Sequence, residues 1–346
     1  MPFGWFLVLG SWNFLAMAHF FITGGCGFLG TWIIKRLLED GDSVTVFDLQ
    51  RNTKRWEMVL SPEQIARVAF VDGKIDETDA FIATIKTAAP DAIIHLAGLQ
   101  VPTCRDNPVM GAKVNVIGTL NVFEAAKALK AGGRNVAVVY ASSAAVFGPD
   151  AEYGEANVGD QSWPKPSSHY GAYKLCNENS AKAYWLTHQI RSVGLRPLTI
   201  YGPGRDTGMT SFPTRAIAAA IKKQSFDIPF KGPTAYIHAR EVAEMFIRCA
   251  RPASDGNTDG ENGARVYTVG GDIVDTAGFL AALENVLPGS KKYITASGGN
   301  LPVASRMDDA VLRHDYPGLL RIPLQQGVRE TVDVFERLNK AGRLEV

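Results

Sequence analysis

From His19 to Gly202 the chain alternates short, continuously apolar runs with longer stretches in which apolar residues recur at helical spacing. The apolar runs HFFIT (19–23), SVTVFD (43–48), RVAFVD (67–72), AIIHLA (92–97), VAVVYAS (136–142) and GLRPLTIYG (194–202) read as strands. Between them lie patterns such as TWIIKRLLEDG, whose apolar positions share one helical face and whose Gly41 marks the stop. Strands apolar on both faces that alternate with helices predict a doubly wound parallel α/β sheet covered by helices on each side. Beyond Gly202 the rhythm breaks into short helices interrupted by Gly, Pro and polar residues, with RVYTVGG (265–271) as one further strand. The expected organisation is a large domain over 17–202, to which 234–271 returns, and a smaller C-terminal lobe built from 203–233 and 272–346.

Composition narrows the partners. The 36 basic and 35 acidic residues nearly cancel and form no basic run, so nothing in the sequence attracts nucleic acid; a small molecule is the expected partner. Cys26, Cys104, Cys176 and Cys249 are scattered, without a Cys-x-x-Cys pair or a His spacing suited to a metal. They read as reduced thiols of a cytoplasmic protein. The stretch from Pro2 to Ile22 carries no Lys, Arg, Asp or Glu. It could be read as a signal peptide or membrane anchor, but it lacks a positive leading region, and its second half is the first strand. Residues 1–16 are therefore read as an extension ahead of the domain.

Gly24, Gly27 and Gly30 follow that first strand and open a helix through Phe28 and Leu29. Such glycines let backbone approach a pyrophosphate at a helix N-terminus, where free N–H groups and the dipole favour anions. Asp48 closes the next strand, where a carboxylate reaches the adenosine ribose hydroxyls. The pattern makes the fold Rossmann-type and favours NAD, since a carboxylate repels a 2′-phosphate; Arg51 nearby keeps NADP open.

Tyr170 and Lys174 are four residues apart, which on a helix places both on one face. The ammonium is expected to lower the phenol's pKa and let it accept an alcohol proton. Ser142 and Ser143 end the VAVVYASS run at the carboxyl edge of the sheet, where open α/β folds bind ligands.

With these features in order, the chain resembles the extended short-chain dehydrogenase/reductase family, and within it the NAD-dependent sugar epimerase/dehydratase group. The likeness covers roughly Ala18 to Ala243 well and the C-terminal lobe loosely. It is carried by the glycine loop, Asp48, His95-Leu96-Ala97-Gly98, Asn115-Val116-Ile117-Gly118-Thr119, Ser143-Ala144-Ala145-Val146-Phe147-Gly148, Tyr170/Lys174 and Tyr201-Gly202-Pro203-Gly204-Arg205. The resemblance implies that Ser143 is the catalytic serine and that Lys174 also bonds the nicotinamide ribose. It places Leu96, Ala97, Gly98 and Asn115 along the cofactor. His95 reads as a satisfied strand-end histidine.

Three departures narrow the expectation. Ala144 and Ala145 stand where family dehydratases carry an acid, which leaves epimerisation or net oxidation. No arginine precedes Tyr236-Ile237-His238, where nucleotide-sugar enzymes clamp a diphosphate; Arg205, Arg215, Lys231 or Arg306 could substitute, or the substrate is a smaller free sugar or sugar acid. Lys74 replaces an aspartate near the adenine, leaving recognition to backbone around Ile75. Ser142, Thr199, Arg205, Arg215 and Arg306 are the candidate substrate contacts. The readings are a carbohydrate epimerase that retains NAD, an NAD-dependent dehydrogenase of a sugar, sugar acid or related secondary alcohol, and a non-enzymatic cofactor sensor. The helices expected over 109–131 and from Tyr170 carry apolar residues on more than one face. In relatives the matching helices pair two subunits, so a homodimer is expected.

Overall fold

A computed structural model describes residues 17–154, 157–251 and 263–346. The expected extension, 1–16, lies outside the described residues. The first six strands are β1 (His19–Thr23), β2 (Ser43–Asp48), β3 (Ala69–Asp72), β4 (Ala92–His95), β5 (Ala137–Ala141) and β6 (Ser192–Arg196). There follow β7 (Thr199–Tyr201), β8 (Phe226–Ile228), β9 (Thr234–His238), β10 (Ala264–Thr268), β11 (Asp272–Val274) and β12 (Ile294–Ala296). Seven of these form one parallel sheet in the order β3-β2-β1-β4-β5-β6-β10, the doubly wound arrangement. The order reverses between β1 and β4, so the crevice for a ligand opens at the carboxyl ends of those two strands.

Each face of the sheet is sealed by its own core. Trp32, Ile33, Leu37, Val242 and Phe246 cover one side, from helices Phe28–Glu39 and Ala239–Ala250. Phe81, Ile85, Val122 and Phe123 cover the other. A third core, with Ile217, Phe279, Leu283, Val328 and Phe335, belongs to the C-terminal lobe. No helix among the described residues is long and apolar enough to cross a membrane.

Two elements differ from the sequence reading. The run 194–202 is two strands. Pro197 cannot donate to a ladder, and the chain leaves the main sheet there: β6 pairs with β5, whereas β7 joins β9 and β11 in a separate three-stranded sheet. The segment 234–271 accordingly returns to the large domain through the helix Ala239–Ala250 and β10, while β9 stays in the small sheet. The helix expected over 109–131 is divided into Pro108–Ala112, a π-helical turn Lys113–Ile117, and Gly118–Ala131. The wider turn carries Asn115, whose amide bonds back to Gly111 O (3.0 Å) and to Leu99 O (3.1 Å), holding the register shift in place.

Candidate active site

The glycine loop is shaped by contacts that no side chain would survive. Gly24 has φ +71°, and a Cβ there would stand 2.6 Å from Ala97 N; one on Gly30 would meet Gly25 Cα at 2.7 Å. The loop is thereby pressed onto the end of β4, and the helix Phe28–Glu39 starts directly behind it. Gly27 caps that helix without a side chain, so the first-turn N–H groups at Phe28, Leu29 and Gly30 keep no intrahelical partner. The Asp48 carboxylate accepts from Cys26 N (3.0 Å) and Leu49 N (2.8 Å), which fixes it beside the loop. Arg51 turns its guanidinium toward Ile65 O (3.5 Å). These residues fit a dinucleotide: a backbone cradle closed to side chains, free N–H groups for an anion, and one held carboxylate at its edge. Replacing Asp48 with Ala is expected to weaken NAD roughly tenfold or more, the scale of a lost charged hydrogen bond, and to relax discrimination against NADP. Titration of both cofactors checks this; an unchanged preference would remove Asp48 from the ribose.

Along the cofactor path, Ala97 N donates to Thr23 Oγ1 (3.3 Å) and Leu96 N to Thr23 O (3.0 Å), tying the end of β4 to β1. A Cβ on Gly98 would stand 2.7 Å from Asn115 Oδ1 and 3.6 Å from Lys174 Nζ. Asn115 Oδ1 is buried and has no hydrogen-bond partner among the described residues, an open acceptor beside Lys174. Ile75 is buried, and its carbonyl accepts from Asn121 Nδ2 (2.8 Å). Lys74 points outward to Glu77 (3.3 Å). His95 is sealed between the hydroxyls of Thr23 (2.7 Å) and Thr119 (3.0 Å), and burial, with the nearby Lys174 charge, pushes its pKa down to about 3. It is a neutral structural ring.

Ser143, Tyr170 and Lys174 converge at the end of β5. Ser168 caps the helix His169–His188 by accepting from Gly171 N (3.1 Å), and so presents Tyr170 in the first turn. The Ser143 hydroxyl accepts from Ala145 N (3.1 Å) and lies near enough to the Tyr170 phenol to act on its pKa. Lys174 Nζ lies 5.5 Å from the Tyr170 ring centre and donates to Ala141 O (2.7 Å). Its burial lowers the ammonium pKa to about 8, against the opposing pull of Cys104 and Glu178. Tyr170 departs from the sequence expectation. Burial raises its pKa, against the opposing influence of Ser143 and the Arg205 charge, while Lys174 Nζ donates to Ala141 O. Asn177 Nδ2 donates to Asn115 O (2.9 Å), bracing the helix against the π-helical turn.

The substrate candidates separate. Ser142 is buried and donates to Glu178, so it faces away from Tyr170. Thr199 is sealed between β7 and β9 by Thr234 Oγ1 (2.7 Å). Neither hydroxyl is free for a substrate. Arg215 lies over Phe212 (5.6 Å) and Phe226 (5.1 Å) in the lobe, and Arg306 is exposed beyond a backbone bridge to Val158. Arg205 alone among the five bears on the Tyr170 phenol. It stacks over Phe28 (5.6 Å), bonds Thr210 (2.9 Å) and keeps a buried Nε without a partner among the described residues. Sequence reasoning missed Glu178 and Arg196, although Glu178 continues the four-residue spacing of Tyr170 and Lys174.

A dinucleotide cradle lies at the switch point, and a tyrosine, a lysine and a serine gather at the neighbouring strand end, an arrangement that fits an NAD-dependent oxidoreductase. Residues 20–270 match the NAD dependent epimerase/dehydratase family, and the chain belongs to it. It is an NAD-dependent enzyme of the extended short-chain dehydrogenase/reductase type. Over 324 residues it is 28% identical to a UDP-glucose 4-epimerase of Mycolicibacterium smegmatis, covering 91% of this chain and 97% of that one. The fold is shared with the UDP-glucose 4-epimerase of Thermus thermophilus solved with NAD (TM-score 0.74, 22% identity, 92% and 98% covered). It is shared equally with a monomeric L-threonine 3-dehydrogenase from metagenomic sequence (TM-score 0.77, 17% identity, 92% and 99% covered).

Proposed function

We propose that the chain is a carbohydrate epimerase that oxidises a secondary hydroxyl to a ketone and restores it with the opposite configuration, NAD staying bound throughout. The observation that carries this reading is Lys174 Nζ lying 5.5 Å from the Tyr170 ring with Ser143 near the phenol, at a site whose following residues, Ala144 and Ala145, supply no acid for dehydration. Hydride uptake and return would be supplied by NAD held at the Gly24, Gly27 and Gly30 loop and Asp48. Tyr170 accepts the substrate's hydroxyl proton and later gives it back; Ser143 orients the reacting oxygen; Lys174 supplies positive charge beneath the phenol. Arg205, whose Nε–H is unpaired among the described residues, is the substrate-contacting cation, suited to a carboxylate or phosphate oxygen. The full-length likeness to a nucleotide-sugar epimerase supports the reaction class.

Net dehydrogenation of a free sugar, sugar acid or other secondary alcohol is the second reading. It is favoured by Gly232-Pro233-Thr234-Ala235, which offers no arginine before Tyr236 for a diphosphate. Cofactor stoichiometry separates the two. An epimerase is expected to purify with NAD and to turn over without added cofactor; stoichiometric consumption of added NAD would establish the dehydrogenase instead.

The protein is further proposed to be a cytoplasmic homodimer. The four cysteines are free, consistent with a reducing compartment. Val109, Met110 and Ile117 are exposed on the first helical stretch and Leu186 on the catalytic helix, an apolar surface for a second copy. Light scattering at micromolar concentration is expected to give twice the chain mass, and a monomer mass would remove the dimer.

A further inference from the structure

The end of β5 meets the catalytic helix at three consecutive residues. Ala141 O accepts from Lys174 Nζ (2.7 Å), the Ser142 hydroxyl donates to Glu178 Oε1 (2.5 Å), and the Ser143 hydroxyl lies near the Tyr170 phenol. Tyr170, Lys174 and Glu178 are spaced by four, so one helix face meets three successive strand positions. Behind Glu178 stands Arg196 from the end of β6, which donates from Nε (2.8 Å) and Nη2 (2.7 Å) to the two carboxylate oxygens. Its guanidinium lies 5.0 Å over the Phe147 ring, just beyond Ser143. Ser142, Glu178 and Arg196 are all buried. A fully desolvated ion pair contributes little net stability against apolar replacements, so fold stability alone does not account for one placed a helical turn from Lys174.

We propose that Glu178 is a positioning residue: with Ser142 and Arg196 it locks the end of β5 onto the catalytic helix in the register that presents Ser143 to Tyr170, and it places a fixed negative charge beside the Lys174 ammonium. The inference rests on the Tyr170–Lys174 reading given above. The groups that face Lys174 leave this charge to Glu178. His95 from β4 is neutral, with its pKa held down to about 3. The Cys104 thiol, from the helix Val101–Asp106, is raised by burial, and the Tyr170 phenol on the catalytic helix is raised as well. Tyr140 of β5, near Glu178 and Arg196, is held protonated by burial. Asn115 contributes only a neutral amide oxygen. Arg196 acts in the opposite sense, from behind the carboxylate.

The signs are therefore opposed for the two partners. Removing the negative charge makes the ammonium easier to deprotonate; removing the positive charge makes it harder. Glu178→Gln keeps an acceptor for the Ser142 hydroxyl but loses the charge. It is expected to move the alkaline limb of the kcat–pH profile down by about one unit, the scale of a single nearby charge. Arg196→Met is expected to move it up. The double variant Glu178→Gln/Arg196→Met, which leaves no unpaired buried charge, should fold even if Arg196→Met does not, and should titrate close to the parent enzyme. The second readout is the titration of Lys174 itself in the ligand-free protein, followed by carbon NMR of labelled lysine side chains and assigned by the resonance missing in Lys174→Arg. Opposed shifts in both readouts support the proposal. Shifts in the same direction, or no shift on Glu178→Gln, overturn it. A Lys174 titration that moves as expected while the kcat limb stays in place would instead overturn the catalytic reading of Lys174.

Discussion

Tyr170→Phe is expected to lower turnover by about 10²–10⁴-fold, the usual contribution of a positioned proton acceptor, while NAD binding changes little. The ring fills the same space, so packing against Lys174 at 5.5 Å is retained and only the hydroxyl near Ser143 disappears. The dinucleotide cradle is formed by other elements, the loop after β1 and the end of β4, and does not depend on that oxygen. Steady-state kinetics and a cofactor titration on one preparation measure both halves. Retention of more than about a tenth of the activity would remove Tyr170 from the proton-transfer step. A parallel loss of NAD affinity would show that the substitution had disturbed the cradle, and the kinetic result would then say nothing of the phenol.

The parts legible in the sequence are those fixed by local pattern. A parallel strand buried on both faces must be apolar throughout, and β1 and β2 span the residues expected, His19–Thr23 and Ser43–Asp48. The glycine loop is legible because strand, loop and helix follow one another directly in the chain. Tyr170 and Lys174 share a single helix, so their proximity follows from spacing. What the pattern does not carry is direction and distant partnership. Ser142 and Ser143 are neighbours just past the end of β5, and both meet the helix His169–His188, Ser142 at Glu178. Which of them serves the phenol depends on Glu178, a partner 36 residues away from Ser142. Thr199 is closed off by Thr234, 35 residues on, in a sheet that the sequence reading had merged with β6. Arg205 and Arg215 look alike as candidate cations. Their fates diverge because one follows the Tyr201–Gly204 turn back over Phe28, while the other lies on the lobe helix Phe212–Ile221 between aromatic rings.

Gly171→Ala is expected to cost about a hundredfold in kcat, although alanine is the better helix former by roughly 1 kcal/mol. Gly171 follows Tyr170 in the first turn of the catalytic helix, where that helix crosses the loop after β5. A Cβ on Gly171 would stand 2.0 Å from Ala145 O, 2.9 Å from Ala145 C and 3.1 Å from Pro166 Cβ. The obstacle is backbone, so no side-chain rotation relieves it. Either the helix N-terminus withdraws or the Ala144–Val146 turn moves, and either motion separates Tyr170 from Ser143. The turn cannot move alone, because Ala145 N is the donor that holds the Ser143 hydroxyl (3.1 Å). A displacement on the order of 1 Å between reacting groups is enough for a hundredfold loss. NAD affinity should fall much less, since Gly24, Gly27 and Gly30 lie on a different loop. The measurement is kcat together with a thermal melt. A folded Gly171→Ala enzyme with kcat within about threefold of the parent would mean that the helix and the turn tolerate separation, and that the close crossing is not what aligns Ser143 with Tyr170.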